Sequence, residues 1–184
     1  MLITTGVGRP VSRSRARARS TLRAGGVTLY FRHVATDFGQ NDERYVEGDC
    51  STQRNLTDAG RADARRIGGE IERLRIPIGE VRASPFCRTV ETATLMFGRA
   101  ERAPEARGGP AVAEAERYAD LKKLLATPPA KGTVRVIASH GNPFRAVAGS
   151  PYLAEGEIAV IEPAGDGRFR VVARITKTDW ATLR

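Results

Sequence analysis

The chain has 184 residues, of which 41% are hydrophobic and 28% are charged, a balance typical of one globular domain with one hydrophobic core. No apolar run approaches the roughly 18 residues that a membrane-spanning helix needs. The net charge is +9, and the two cysteines are too few for a disulfide-rich scaffold or a cysteine-based zinc site.

The first segment, residues 1–26, contains six arginines and no acidic residue, so that residues 27–184 carry a net charge of only +3. We predict that residues 1–26 form a disordered arm ahead of a single domain. Because a basic arm can bind nucleic acid, a non-enzymatic alternative stays open, namely a basic nucleic-acid-binding protein. The arm lacks the continuous apolar core of a secretory signal. The cytoplasm is therefore the default expectation, and a location outside it stays open.

Beyond the arm, short apolar runs alternate with helical patterns. The predicted strands cover residues 27–32, 81–83, 134–138, 157–162 and 168–175, the last two as a hairpin. The predicted helices run from an N-cap at Thr57 to about residue 75, from Ser84 and Pro85 onward, over residues 113–126, and briefly from His140. This alternation predicts a three-layer α/β/α sandwich with a mostly parallel central sheet.

The two histidines of the chain, His33 and His140, each directly follow a predicted strand. The carboxyl ends of parallel strands share one rim of the sheet, where ligands bind. Arg32 precedes one histidine, and Arg88 follows the strand at residues 81–83. Because the planar guanidinium matches phosphate oxygens in a bidentate way, this set predicts a pocket for a tetrahedral dianion.

Four segments, in order, resemble motifs of the histidine phosphatase (phosphoglycerate mutase-like) superfamily. They are residues 32–36 (Arg-His-Val-Ala-Thr), 56–60 (Leu-Thr-Asp-Ala-Gly), 84–93 (Ser-Pro-Phe-Cys-Arg-Thr-Val-Glu-Thr-Ala) and 139–142 (Ser-His-Gly-Asn). The resemblance implies a histidine phosphatase domain over residues 27–184 with a phosphoglycerate mutase-like fold. Two positions depart from the family pattern, since Val34 replaces the usual glycine and Gly39 a frequent asparagine.

By this resemblance, His33 is the nucleophile that becomes phosphohistidine, and Arg32, Arg88 and His140 bind the phosphoryl group. A neutral imidazole is a usable nucleophile at physiological pH, and positive donors stabilise the transferring oxygens. The predicted function is a metal-independent phosphomonoester phosphatase, a hydrolase without a cofactor. Its expected partner is a phosphorylated small molecule or protein, with no membrane and no nucleic acid.

Further positions are predicted with roles left open. Thr36 is a candidate phosphate donor, with capping of its own loop as an equal alternative. Glu114 is a candidate general acid for the leaving group, and Glu116 and Asp37 are weaker candidates. Acidic residues near a helix start are also expected for reasons of the helix dipole alone.

A second group of residues lies near the predicted site in sequence. Cys50 and Cys87 could pair in an oxidising compartment, although two free thiols are the simpler expectation. Ser84 is predicted to cap the second helix. The loop over the site also carries polar side chains that contact either substrate or only solvent. They are Arg44, Tyr45 and Arg54.

Within the same superfamily, two other activities stay open. One is a phosphoglycerate mutase-like phosphotransferase, and the other is a protein phosphohistidine phosphatase. A mutase must retain and re-orient a highly charged intermediate, so the short loops of this chain favour hydrolysis. The sequence predicts neither the substrate nor the oligomeric state.

Overall fold

The computed structural model of the protein describes residues 11–107 and 116–183, with side chains from residue 18 onward. The helices are α1 (Val11–Ala24), α2 (Asp58–Arg73), α3 (Cys87–Phe97), α4 (Ala119–Ala126) and α5 (Gly141–Ala148). The strands are β1 (Thr28–Arg32), β2 (Ile78–Ala83), β3 (Glu101–Arg102), β4 (Val134–Ser139), β5 (Ile158–Gly165) and β6 (Arg168–Ile175). Short 3-10 helices cover Cys50–Thr52, Pro104–Ala106 and Asp179–Thr182.

The six strands form one sheet in the order β3-β2-β4-β1-β5-β6. The pairs β1/β4, β2/β4 and β2/β3 are parallel, and the pairs β1/β5 and β5/β6 are antiparallel. The predicted hairpin is therefore the antiparallel edge of a mostly parallel sheet, as expected when helices connect the other strands. This arrangement puts the carboxyl ends of β1, β2 and β4 on the same rim.

Helices cover both faces of the sheet, as the sequence predicted. Leu29 and Phe31 of β1 belong to the core cluster that also holds Ile67 of α2. Tyr30, between them, belongs to a second cluster on the opposite face, together with Leu121 of α4. This alternation follows from the two-residue period of strand side chains, and it gives a three-layer α/β/α sandwich. None of the helices in the described ranges is long and apolar enough to cross a membrane.

Helix α2 begins where its sequence signals predict. The Oγ1 atom of Thr57 accepts a hydrogen bond from the backbone N–H of Gly60 at 3.0 Å, which satisfies one of the unpaired donors of the first turn. Asp58 adds a negative charge in that turn, where the helix dipole favours it. The backbone N–H of Thr57 donates to the carbonyl oxygen of Ala35 at 3.0 Å, so the start of the helix lies near the end of β1.

Three boundary predictions need correction. The second helix starts at Cys87 rather than at Ser84, because the extended backbone of Phe86 serves as its N-cap. Residues 11–24 form a helix, and Leu22 in it is fully buried, so the predicted disordered arm does not extend to residue 26. Of the predicted helix at 113–126, residues 116–118 form a turn and 119–126 are helical. Residues 1–10 and 108–115 lie outside the described residues.

Neighbouring glycines in α2 provide a matched test of how closely α2 and α3 pack. A Cβ atom added at Gly68 would lie 2.5 Å from the backbone oxygen of Met96, whereas one added at Gly69 meets nothing within 4 Å. We expect Gly68→Ala to lower the free energy of unfolding by about 1–3 kcal/mol, since the backbone of α3 must shift. Gly69→Ala should raise it by about 0.5–1 kcal/mol, because alanine favours the helix.

Urea denaturation of both variants measures the difference. Equal effects of the two substitutions would show that α2 and α3 do not approach as closely at Gly68 as the structure has them.

Candidate active site

The two histidines meet at the rim because of the strand register. Arg32, the last residue of β1, pairs with Ser139, the last residue of β4. The backbone N–H of His33 donates to the carbonyl oxygen of Ser139 at 3.0 Å. The following residues, His33 and His140, consequently lie side by side, with their ring centroids 5.5 Å apart. The sequence prediction that both imidazoles share one rim is confirmed.

His33 is held in one orientation by its own backbone. Its side chain is 2% exposed, and Nδ1 lies 2.9 Å from the carbonyl oxygen of Val34. A carbonyl oxygen can only accept, so Nδ1 carries the hydrogen and the lone pair is on Nε2. The carboxylate of Glu155 lies 3.8 Å from Nδ1, on the same side of the ring. This arrangement leaves Nε2 as the nucleophilic atom of the imidazole.

His140 is oriented by a serine rather than by a backbone carbonyl. Its Nε2 atom lies 2.8 Å from Oγ of Ser84, which follows β2 directly. The sequence predicts that Ser84 caps α3. This prediction is wrong, because the hydroxyl of Ser84 contacts the second imidazole instead. With Nε2 engaged in this way, Nδ1 of His140 is the ring nitrogen available to an anion.

Both predicted arginines are anchored beside the histidines by protein oxygens. Arg32 donates to the carbonyl oxygen of Leu153 at 2.8 Å. Arg88, which is 5% exposed, donates to Oδ1 of Asp42 at 3.0 Å and stacks over the ring of Phe86 at 4.3 Å. These contacts fix the guanidinium planes before any ligand arrives, as electrostatic stabilisation of a developing charge requires.

A cavity of about 360 Å³ opens at this rim. Thirteen residues line it, namely Arg32, His33, Asp42, Arg54, Phe86, Arg88, Arg107, Tyr118, His140, Gly141, Asn142, Pro143 and Tyr152. Three of its arginines, at positions 32, 54 and 88, have a buried Nε that makes no hydrogen bond within the described part of the chain. Buried donors of this kind are rarely left unpaired in native proteins, and an oxyanion is the ligand that would satisfy them.

The surroundings of the site keep both imidazoles neutral. Burial lowers the pKa of His33 from 6.5 to about 3; the hydrogen bond to Val34 opposes the shift, and the charges of Arg88 and Arg32 add to it. Burial and the charge of Arg88 also lower the pKa of His140 well below its ordinary value. A neutral His33 carries a free lone pair throughout the physiological pH range, which is the state that a nucleophile needs.

Solved structures of histidine phosphatases share this architecture. SixA, a protein histidine phosphatase solved with tungstate, superposes with a TM-score of 0.58 at 20% sequence identity, over 86% of this chain and 99% of SixA. A phosphoserine phosphatase mutant from Entamoeba histolytica, solved with phosphoserine, gives 0.58 at 13% identity, over 83% and 98% of the two chains. A mycobacterial glucosyl-3-phosphoglycerate phosphatase gives 0.57 at 16% identity, over 79% and 96%.

The chain has the histidine phosphatase fold. The resemblance that the four sequence motifs carry is thereby confirmed at the level of the three-dimensional structure. By sequence alone, neither a model of a known family nor a curated protein matches the chain. The histidine phosphatase fold explains why residues that are far apart in the chain meet at one rim of the sheet.

The other residues that the sequence predicts for the site do not line the cavity. The hydroxyl of Thr36 donates to Oε1 of Glu155 at 2.8 Å and is thus used within the protein, which argues against the predicted phosphate contact. Asp37 accepts from the backbone N–H of Gly39 and does not line the cavity. Glu116 is exposed and is also absent from the lining. Glu114 lies outside the described residues.

Residues that sequence reasoning missed complete the site. Asp42 pairs with Arg88, and Glu155 lies 3.6 Å from Arg32. Both carboxylates come from loops without a motif, so no sequence pattern pointed to them. Arg54, named in the sequence only as a loop residue, lines the cavity, and so does Arg107. Among the described residues, no three His, Cys, Asp or Glu side chains cluster in a way that could hold a metal ion.

A disulfide bond joins Cys50 to Cys87, with 5.7 Å between the Cα atoms. The simpler expectation of two free thiols is therefore wrong. The bond ties the loop at residues 37–56 to the first turn of α3, next to Arg88. Because this loop carries Asp42 and Arg54, the disulfide fixes one wall of the cavity.

The neutral histidines make the stability of the fold depend on pH. The folded protein binds fewer protons than the unfolded chain between about pH 3 and pH 6.5, since the pKa of His33 falls from 6.5 to about 3. The free energy of unfolding should therefore decrease as the pH falls through this range. Between pH 6.5 and 4.5 we expect a loss on the order of 2 kcal/mol from His33, and His140 adds a loss in the same direction because its pKa is also lowered.

Urea denaturation at several pH values measures this loss, and the double variant His33→Gln/His140→Gln is the control. Most carboxylates titrate below the chosen window, so the control should keep a nearly constant stability there. Parallel pH curves for the two proteins would contradict the assignment of neutral, buried histidines.

Proposed function

We propose that this protein is a phosphomonoester phosphatase that acts through a phosphohistidine intermediate on His33. The observation that carries the proposal is the set of buried, unpaired Nε donors of Arg32, Arg54 and Arg88 around two neutral imidazoles. Such a set favours a tetrahedral anion over a neutral ligand. The proteins of the same fold named above are, by their names, phosphatases.

In the first step, Nε2 of His33 attacks phosphorus in line with the ester oxygen. An N–P bond forms, the P–O bond to the leaving group breaks, and the departing oxygen takes up a proton from water or from a general acid. The guanidiniums of Arg32 and Arg88 and the ring of His140 donate to the three equatorial oxygens, where charge develops. The protein supplies these donors ready placed, so little reorganisation accompanies the transfer.

In the second step, water attacks the phosphorus of phosphohistidine. The N–P bond breaks, inorganic phosphate leaves, and the electron pair returns to Nε2 of His33. The hydrogen bond from Nδ1 to Val34 persists through both steps and keeps Nε2 directed at the phosphorus atom. The imidazole cation that forms during transfer is stabilised by the carboxylate of Glu155 on the Nδ1 side.

The proton for the leaving alcohol has no dedicated donor among the described residues that line the cavity. Asp42 is the carboxylate there, and both its place and its hydrogen-bonding capacity are used by the ion pair with Arg88. Glu114 remains a sequence prediction for this role. Leaving groups of low pKa need no such donor, so aryl phosphates should be hydrolysed faster than alkyl phosphates.

The proposal is tested by the release of inorganic phosphate from a panel of phosphomonoesters, with and without a metal chelator. The panel includes aryl and alkyl phosphates, 3-phosphoglycerate and a peptide that carries phosphohistidine. We expect hydrolysis of phosphomonoesters that the chelator does not change. Isomerisation of phosphoglycerate without phosphate release would favour a mutase, and hydrolysis of the phosphohistidine peptide alone would favour a protein phosphohistidine phosphatase.

A further inference from the structure

We propose that Arg107 recognises a second anionic group of the substrate, beyond the phosphoryl group that is transferred. The inference rests on the proposed phosphatase function and specifies its substrate class, a phosphomonoester that bears an additional negative charge such as a carboxylate. Three features of the cavity support it: the pairing of its charges, the contacts that hold Arg107, and the position of Arg107 relative to His140.

The arginines of the cavity differ in their partners. Arg88 forms an ion pair with Asp42, and Arg32 lies near Glu155. Arg54 and Arg107 have no carboxylate within 4.0 Å in the described ranges. Within the described part of the chain, the cavity thus contains two cations that no carboxylate neutralises. Charged side chains at such half-buried positions are normally paired, so a ligand with matching charge is expected.

The two unpaired arginines stand in different places. The charge of Arg54 lowers the pKa of both His33 and His140, and its Nε is buried without a partner, as are those of Arg32 and Arg88. Arg54 therefore belongs to the phosphoryl position. Arg107 lies 5.0 Å from the centre of the Phe86 ring, which meets His140 edge-on at 5.0 Å, and its charge also lowers the pKa of His140. From its place beside Tyr45 and Phe86, Arg107 can contact a group of the substrate that extends from the phosphorus.

The guanidinium of Arg107 is held in place by aromatic stacking. It lies 4.4 Å from the centre of the Tyr45 ring and 5.0 Å from that of Phe86, and these two rings are themselves 4.4 Å apart. Cation–π contacts of this kind orient the guanidinium plane without using its N–H groups. The guanidinium N–H groups of Arg107 make no hydrogen bond to any residue that the structure describes, so they can donate to a ligand.

The backbone at Arg107 is anchored to the same strand end as the histidine. The preceding 3-10 helix at Pro104–Ala106 ends in Ala106, which is fully buried. Its carbonyl oxygen accepts a hydrogen bond from Oγ of Ser139 at 2.5 Å, one residue before His140. The distance between Arg107 and the phosphoryl position is therefore set by the core of the protein, as the recognition of a second group requires.

The test compares two ligands that differ in one carboxylate, O-phosphoserine and O-phosphoethanolamine. Binding is measured by calorimetry on the full-length His33→Ala variant, which holds the ligands without turnover. O-phosphoserine should bind more tightly by ~10-fold or more, as expected for a charge-assisted hydrogen bond. Adding Arg107→Gln should remove this preference and leave the affinity for O-phosphoethanolamine within about twofold.

The matched control is Arg145→Gln, which removes an exposed arginine of α5 and has the same effect on net charge. It should preserve the preference for O-phosphoserine. The inference is overturned if Arg107→Gln weakens both ligands equally, if it weakens neither, or if the parent protein binds the two ligands with equal affinity or not at all. Because binding is read without catalysis, a failure of this inference differs from a failure of the phosphatase function, which the release of phosphate by the wild type tests.

Discussion

Replacement of His33 by glutamine is expected to reduce kcat for phosphomonoester hydrolysis by at least ~100-fold. Glutamine is also polar and of similar length, but its amide nitrogen carries no lone pair that can attack phosphorus. His33 is buried and its Nδ1 bonds to Val34, so Nε2 is the atom of this ring that can attack phosphorus, and glutamine does not replace it. In the proposed mechanism His140 does not substitute for it, because Nε2 contacts Ser84 and Nδ1 carries the hydrogen that is donated to the phosphoryl group.

The control for this substitution is a measurement of whether the variant still folds and binds phosphate. The His33→Gln variant should unfold at the same urea concentration as the wild type at pH 7.5, because both side chains are neutral there. It should also still bind inorganic phosphate, since Arg32, Arg54 and Arg88 are unchanged. Activity of the folded variant within about threefold of the wild type would mean that His33 is not the nucleophile.

Loss of the disulfide bond is expected to have the largest effect on stability. The bond closes a loop across 37 residues of sequence, and the chain-entropy argument gives about 2–4 kcal/mol for a loop of this size. We expect the double variant Cys50→Ser/Cys87→Ser to lose this amount of unfolding free energy. We also expect a several-fold lower kcat/KM, because Asp42 and Arg54 lie in the loop that the bond restrains.

A thiol reductant provides the matched comparison. Reduction should bring the wild type to the stability and activity of the double serine variant, and it should leave the variant unchanged. If the reductant changed both proteins equally, its effect would not come from the bond between Cys50 and Cys87. A double variant as stable as the wild type would show that packing alone holds the loop against α3.

The central part of the fold could be predicted because its signals are local. The apolar run at β1, the N-cap at Thr57 and the alternation of strands and helices each follow from the nearby sequence. His33, His140 and Arg88 could be predicted as one site because parallel strands end at a common rim. That inference needs the order of the elements but no side-chain geometry.

The residues that were missed depend on contacts across the fold. Glu155 reaches His33 from a loop 122 positions further along the chain, and no motif marks it. Ser84 lies in a recognised motif, yet its hydroxyl contacts His140 only because β2 and β4 are neighbours in the sheet. The many arginines of residues 1–26 predict a disordered arm, and this pattern gives no sign that Leu22 is buried against the domain. Tertiary packing decided each of these cases.

The most direct test of the proposed phosphohistidine mechanism is to identify the residue that carries the phosphoryl group during turnover. The protein is mixed with an aryl phosphate, quenched within milliseconds in alkali, where phosphohistidine survives, and digested for mass spectrometry. We expect one phosphoryl group on the peptide that contains His33, lost on exposure to acid and absent from the His33→Gln variant. A phosphoryl group on another residue, or steady turnover with His33 never phosphorylated, would contradict it.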